Sequence, residues 1–151
     1  MKKLFKICCF SGLLLAVASC HKEANISRSF TVTVENVSTP GLLNTPRAGG
    51  AVPLSPGAWA VFTGNDPMFT EGKMADIGTE RIAEDGAPGT KDAAMGALSH
   101  VRTHGIFKTE AGPILPGQSV QFTFNASPGD SCSFKLCLCN PMTGFIVLAV
   151  E

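Results

Sequence analysis

The chain is predicted to be mainly β, an antiparallel β-sandwich with a short helical insertion around residues 74–98. Three observations lead there. Several segments alternate apolar and polar side chains with a period of two, as a strand with one buried face does. Sixteen glycines and ten prolines fall between them in turn-like clusters. Helical spacing occurs in one stretch, where Met74, Ile77, Arg81 and Ile82 recur at intervals of three to five. A length of 151 residues bounds a single domain.

The first twenty residues stand apart. Lys2, Lys3 and Lys6 precede a run from Ile7 to Val17 that carries no charge. A basic start followed by an apolar stretch of this length is the pattern of an export signal. It is too short for a membrane span, which needs about 20 apolar residues. The run ends Val17-Ala18-Ser19-Cys20, which resembles a bacterial lipobox; an ordinary signal peptide is the bland alternative. The expected organisation is a signal over residues 1–19, a polar tether over 20–28 with lipid on Cys20, and a domain over 29–151. Several acyl chains, at about 0.8 kcal/mol per buried methylene, anchor firmly where one does not. The expected location is the bacterial cell envelope, in the outer membrane or at the cell surface. Loss of three lysines changes 12 Lys+Arg against 12 Asp+Glu into 9 against 12, a net charge of −3. Neither balance suits nucleic-acid binding, which calls for a basic face.

In the expected domain, residues 30–37 alternate around Phe30, Val32 and Val34 and form the first strand, stopped by Pro40-Gly41. Residues 58–62 follow the turn-rich Pro53-Leu54-Ser55-Pro56-Gly57 as a second strand, with Trp59 its core anchor. The helical stretch ends at Asp85-Gly86, and residues 91–98 add a further turn or two. Leu115-Pro116-Gly117 introduces a strand at residues 120–124. Residues 133–139 alternate again, and 145–150 are continuously apolar.

Four of these segments together resemble the spondin N-terminal domain family, particularly its bacterial lipoprotein members. They are residues 30–37, residues 53–62, Ile82-Ala83-Glu84-Asp85-Gly86, and Pro113-Ile114-Leu115-Pro116-Gly117 leading into Phe122-Thr123-Phe124. The resemblance covers residues 30–134. It implies a C2-like sandwich with a binding or adhesive role outside the cell, and in some members a bound calcium ion.

After Phe134 the similarity stops. The family continues with a segment like TMFVQSNDWF, whose aspartate belongs to its metal region, whereas this chain reads Lys135-Leu136-Cys137-Leu138-Cys139-Asn140-Pro141-Met142-Thr143-Gly144-Phe145. A set of codons exists for which a one-base shift converts one string into the other. The favoured expectation is therefore a frameshift near Phe134-Lys135 and a domain incomplete at its C-terminus, in the extreme a non-functional product. The alternative is a true hairpin, with Phe134, Leu136 and Leu138 inward, a turn at residues 140–144 and a last strand at 145–150. As written, the calcium motif is absent.

No nucleophile elbow or phosphate loop occurs, so no catalytic residue is assigned. The main alternative function is an envelope metal-binding or redox protein using Cys132, Cys137 and Cys139 with His100 and His104. A closed zinc site needs four ligands, and the clustered thiols are expected to be free or to share a disulfide involving Cys132. His100 and His104 are expected to be solvated, with no carboxylate beside them. Glu84 and Asp85 are candidates for a cation-binding or basic-partner surface, against the simpler reading that Glu84-Asp85-Gly86 ends a helix with a glycine cap. Asp66 and Asp76 are expected to be free loop acids, without the ligand spacing of a calcium loop.

Overall fold

A computed structural model describes residues 26–42 and 50–138, and the backbone of residues 145–150. The expected mainly β architecture is present: two open antiparallel sheets with two helices. The strands are β1 (Arg28–Glu35), β2 (Gly57–Phe62), β3 (Val101–Phe107), β4 (Ser119–Ala126), β5 (Ser131–Cys137) and β6 (Phe145–Val150). The helices α1 (Ile77–Asp85) and α2 (Gly89–Gly96) lie between β2 and β3. One sheet pairs β1 with β4, and the other has the order β3-β2-β5-β6.

Period-two alternation decides which side chains meet between the sheets. Phe30, Val32 and Val34 of β1 sit opposite Phe124, Phe122 and Val120 of β4. Thr31 and Thr33 take the other face, where they hydrogen-bond across the strands to Thr123 (3.1 Å) and Gln121 (3.0 Å). Trp59 and Val61 from β2 and Cys132, Phe134 and Leu136 from β5 close the same core. Trp59 stacks on Phe122 at 5.2 Å, which places it in the core as expected.

The other face of the four-stranded sheet is also covered. Ala58, Ala60 and Phe62 of β2 pack with Ile82 of α1, Met95 of α2 and Met68 in a second cluster. The small side chains of Ala58 and Ala60 let the helices approach closely. The molecule is thus layered sheet, sheet, helices, and β2 is buried along its whole length. The helical insertion is two helices, and α1 begins three residues after Met74, which is 97% exposed. Asp76 caps α1 by accepting the Thr79 N–H at 2.7 Å. Gly86 ends it at φ +61°, a left-handed conformation that favours glycine; its N–H bonds the Ile82 carbonyl and the Ala87 N–H bonds the Arg81 carbonyl, both at 3.1 Å.

Beyond Phe134 the chain takes the hairpin arrangement, with β6 antiparallel to β5 and Phe134 opposite Leu148. Phe134 and Leu136 lie in the inter-sheet core and Leu138 packs against it. The facing sheet holds only two strands among the described residues, and a cleft of about 220 Å3 opens beside Phe30, Val32, Phe124 and Phe134.

Candidate functional site

The strongest candidate lies where the helical layer meets β5. Ser133, Lys135 and Cys137 alternate with the inter-sheet residues and so face the helices. Lys135 is only 3% exposed. Its neighbour across β2 is Ala58, whose small side chain leaves space for the lysine stem. The Lys135 ammonium donates to the Met68 carbonyl and, at 2.9 Å, to Thr79 Oγ1. An ammonium has three N–H donors, so among the described residues one is left over.

Local turns hold these acceptors in place. Asp66 accepts the Met68 N–H at 2.7 Å and the Ser133 hydroxyl at 2.8 Å, which ties the 66–76 loop to β5. Thr79 sits in the first turn of α1, fixed by the Asp76 cap. The second oxygen of Asp76 pairs with the Lys91 ammonium from α2, a residue only 1% exposed. Gly78 permits this: a Cβ there would stand 2.8 Å from Lys91 Cα, so α1 and α2 meet backbone to backbone.

Burial pushes the Lys135 amine down to about 8; Lys91 repels the charged form further, while Asp76 and Asp66 partly oppose the change. Partial burial by itself raises Asp76, but the Lys91 hydrogen bond and the Thr79 N–H outweigh it and hold the carboxyl below its ordinary value. Burial, helped by the Asp66 charge, pushes the Cys132 thiol up to about 11.

Above Lys135 lies a cleft of about 460 Å3, the size of a small-molecule site. Lys135, Thr79 and Met68 form its buried end, and Phe69, Lys73 and Met74 its exposed mouth.

The residues singled out from the sequence are scattered. Cys132 belongs to the inter-sheet core and Cys137 to the helix-facing cluster. Five residues apart on one strand, they point to opposite faces, so they neither bridge nor share a ligand. Cys20 and Cys139 lie outside the described residues. Among the described residues no three His, Cys, Asp or Glu side chains are grouped as metal ligands. His104 is not simply solvated: its Nδ1 contacts Asp92 of α2 at 2.6 Å. His100 keeps a buried Nε2 that has no hydrogen-bond partner among the described residues. Glu84 and Asp85 are exposed at the far end of α1, about 8–9 Å along the helix from Thr79 by the rise per residue, and Asp85 pairs with Arg81 at 2.9 Å. Gly86 performs the capping role. Asp66 and Asp76 are not free loop acids; both brace the cleft.

The sequence reading passed over Lys135, Lys91 and Thr79. The available signal was the run Ser131-Cys132-Ser133-Phe134-Lys135-Leu136-Cys137 beside Ala58 and Ala60: small residues on the polar-looking face are a sign that something packs there.

The four segments of the family resemblance also meet. Asn36, 2% exposed, donates to the Val52 and Ile114 carbonyls at 2.8 and 2.7 Å. The Gly117 N–H bonds the Asn36 carbonyl at 2.8 Å, and Leu54 and Ile114 exchange backbone bonds. Ser55 lies against Gly86 and accepts the Cys137 N–H at 2.8 Å. These segments form a structural knot between the layers.

Fold and site together define the class: a two-sheet β protein with a helical layer closed over a buried lysine. Compared with family models, characterised proteins and solved structures, the chain matches none.

Proposed function

We propose that the protein is a non-enzymatic lipoprotein of the bacterial cell envelope, anchored in the outer membrane or at the cell surface through lipid on Cys20. Its spondin-like sandwich serves to bind a ligand. The run Val17-Ala18-Ser19-Cys20 behind a basic and apolar leader carries this reading. No described helix is long and apolar enough to cross a membrane, which neither favours nor opposes a lipid anchor. The four segments that resemble the spondin family converge on one knot, as expected if they encode a shared fold rather than a shared ligand site.

Membrane fractionation of Cys20→Ala tests the proposal. The wild-type chain should carry acyl groups and sediment with membranes, and the variant should lose both properties. A variant that still sediments like wild type would refute the anchor.

A further inference from the structure

We propose that the cleft above Lys135 binds a small carboxylate with an apolar body, the carboxylate taking the unused N–H of the Lys135 ammonium. The inference deepens the ligand-binding reading above and supplies its chemistry.

The argument starts from an incompletely paired charge. Lys135 uses two donors on neutral acceptors, the Met68 carbonyl and the Thr79 hydroxyl. No carboxylate among the described residues lies within hydrogen-bond distance of it, because Asp76 is engaged by Lys91 and Asp66 by Ser133 and the Met68 amide. A buried ammonium without a counter-charge is costly, and an anion arriving at the third donor would offset that cost. The same lysine lines the cleft, so the approach is open from that side.

The remaining lining selects the kind of anion. Pro67, Met68, Phe69, Met74 and Ala75 offer an apolar wall, and Phe69 and Met74 are exposed as if awaiting a cover. A dianion such as phosphate fits poorly: at the buried end its oxygens would find only the Lys135 ammonium and the Thr79 hydroxyl as donors, and the Asp76 carboxylate on the same wall would oppose its second charge. The unused ammonium N–H at the buried end, with the Asp76 charge on the same wall offset by Lys91, and an apolar wall match a monocarboxylate with a hydrocarbon tail. Lys73 at the mouth adds long-range attraction.

The probe is hexanoate, titrated into the purified full chain, with hexan-1-ol and inorganic phosphate as comparisons. Methionine methyl resonances report the site without any substitution. Hexanoate should shift the Met68 and Met74 methyls and leave Met95, buried against α2, unmoved. It should bind roughly tenfold more tightly than hexan-1-ol, the worth of one charge-assisted hydrogen bond. Lys135→Met should erase that preference. Phe69→Ala, at an exposed position that leaves the fold intact, should weaken hexanoate and hexan-1-ol alike. Equal binding of the two probes, displacement of hexanoate by equimolar phosphate, shifts confined to other methyls, or no saturable binding would each overturn the proposal. None of these outcomes bears on membrane fractionation, so the failure of this site and the failure of the anchor are separable.

Discussion

Raising the pH from 7 to 11 reveals the energetic effect of burying Lys135, opposed above pH 9 by Cys132. Folded Lys135 titrates near 8 and the ordinary lysine near 10.5. Between those values the unfolded chain holds a proton that the folded chain has released, so stability rises with pH. The penalty is fully present below about pH 8 and gone above 10.5. Each pKa unit is worth about 1.4 kcal/mol, which puts the ceiling of the whole effect at about 3–4 kcal/mol. Cys132 acts in the opposite sense. Its thiol titrates near 11 when folded against an ordinary 9.0, so its contribution is lost as pH climbs from 9 to 11. The chain has no tyrosine, so no phenol titrates in this window. Wild type should therefore gain stability from pH 8 to 9 and then level off, whereas Cys132→Ala should keep gaining to about 10.5. In Lys135→Met the rise should vanish. At pH 7 that substitution removes the buried charge but strands the Met68 carbonyl and Thr79 hydroxyl, at about 1–3 kcal/mol each, so the two effects oppose each other and the net change is small or destabilising by a few kcal/mol. The slope, not the midpoint, is diagnostic. Urea unfolding at half-unit pH steps measures it, and an unchanged slope in Lys135→Met would show that the amine is not buried as described.

Phe122 touches the rings of Trp59, Phe107 and Phe134, so Phe122→Ala should destabilise by about 3–5 kcal/mol in denaturant unfolding; a loss below about 1 would contradict this packing. Asn36→Ala leaves the Val52 and Ile114 carbonyls without its donors and should cost about 1–3 kcal/mol by the same measure, while a neutral result would deny the knot its role. Gly78→Ala drives a Cβ into the Lys91 backbone and should cost about 1–3 kcal/mol, with broadened methyl resonances at Met95 of α2; a variant as stable as wild type would show that the helices do not meet there. Resequencing the gene across codons 134 and 135 examines the tail. The paired β5–β6 hairpin leads one to expect an unbroken frame, and a corrected frame running past codon 151 would show that the tail is not native.

Much of the architecture was legible locally. Alternation around Phe30, Val32 and Val34, and again around Phe122 and Phe124, marked strands because a pleat sends successive side chains to opposite faces. The Ile77–Ile82 spacing and Gly86 marked a helix and its end, since capping depends on a few neighbouring residues. The edges moved by a few positions: β1 runs Arg28–Glu35 and β4 runs Ser119–Ala126, because pairing partners rather than propensity set where a ladder stops.

The candidate site was a different matter. Lys91 and Asp76 are 15 residues apart, Lys135 and Thr79 56 apart, and Asp92 and His104 12 apart, and no local pattern announces such pairs. Sequence by itself determined that β5 has two faces, one apolar and one of serine, lysine and cysteine. The tertiary structure alone decided that α1 and α2 return over the second face and take Lys135 out of water. Periodicity records which residues share a side of a strand; only chain return through space decides what covers that side.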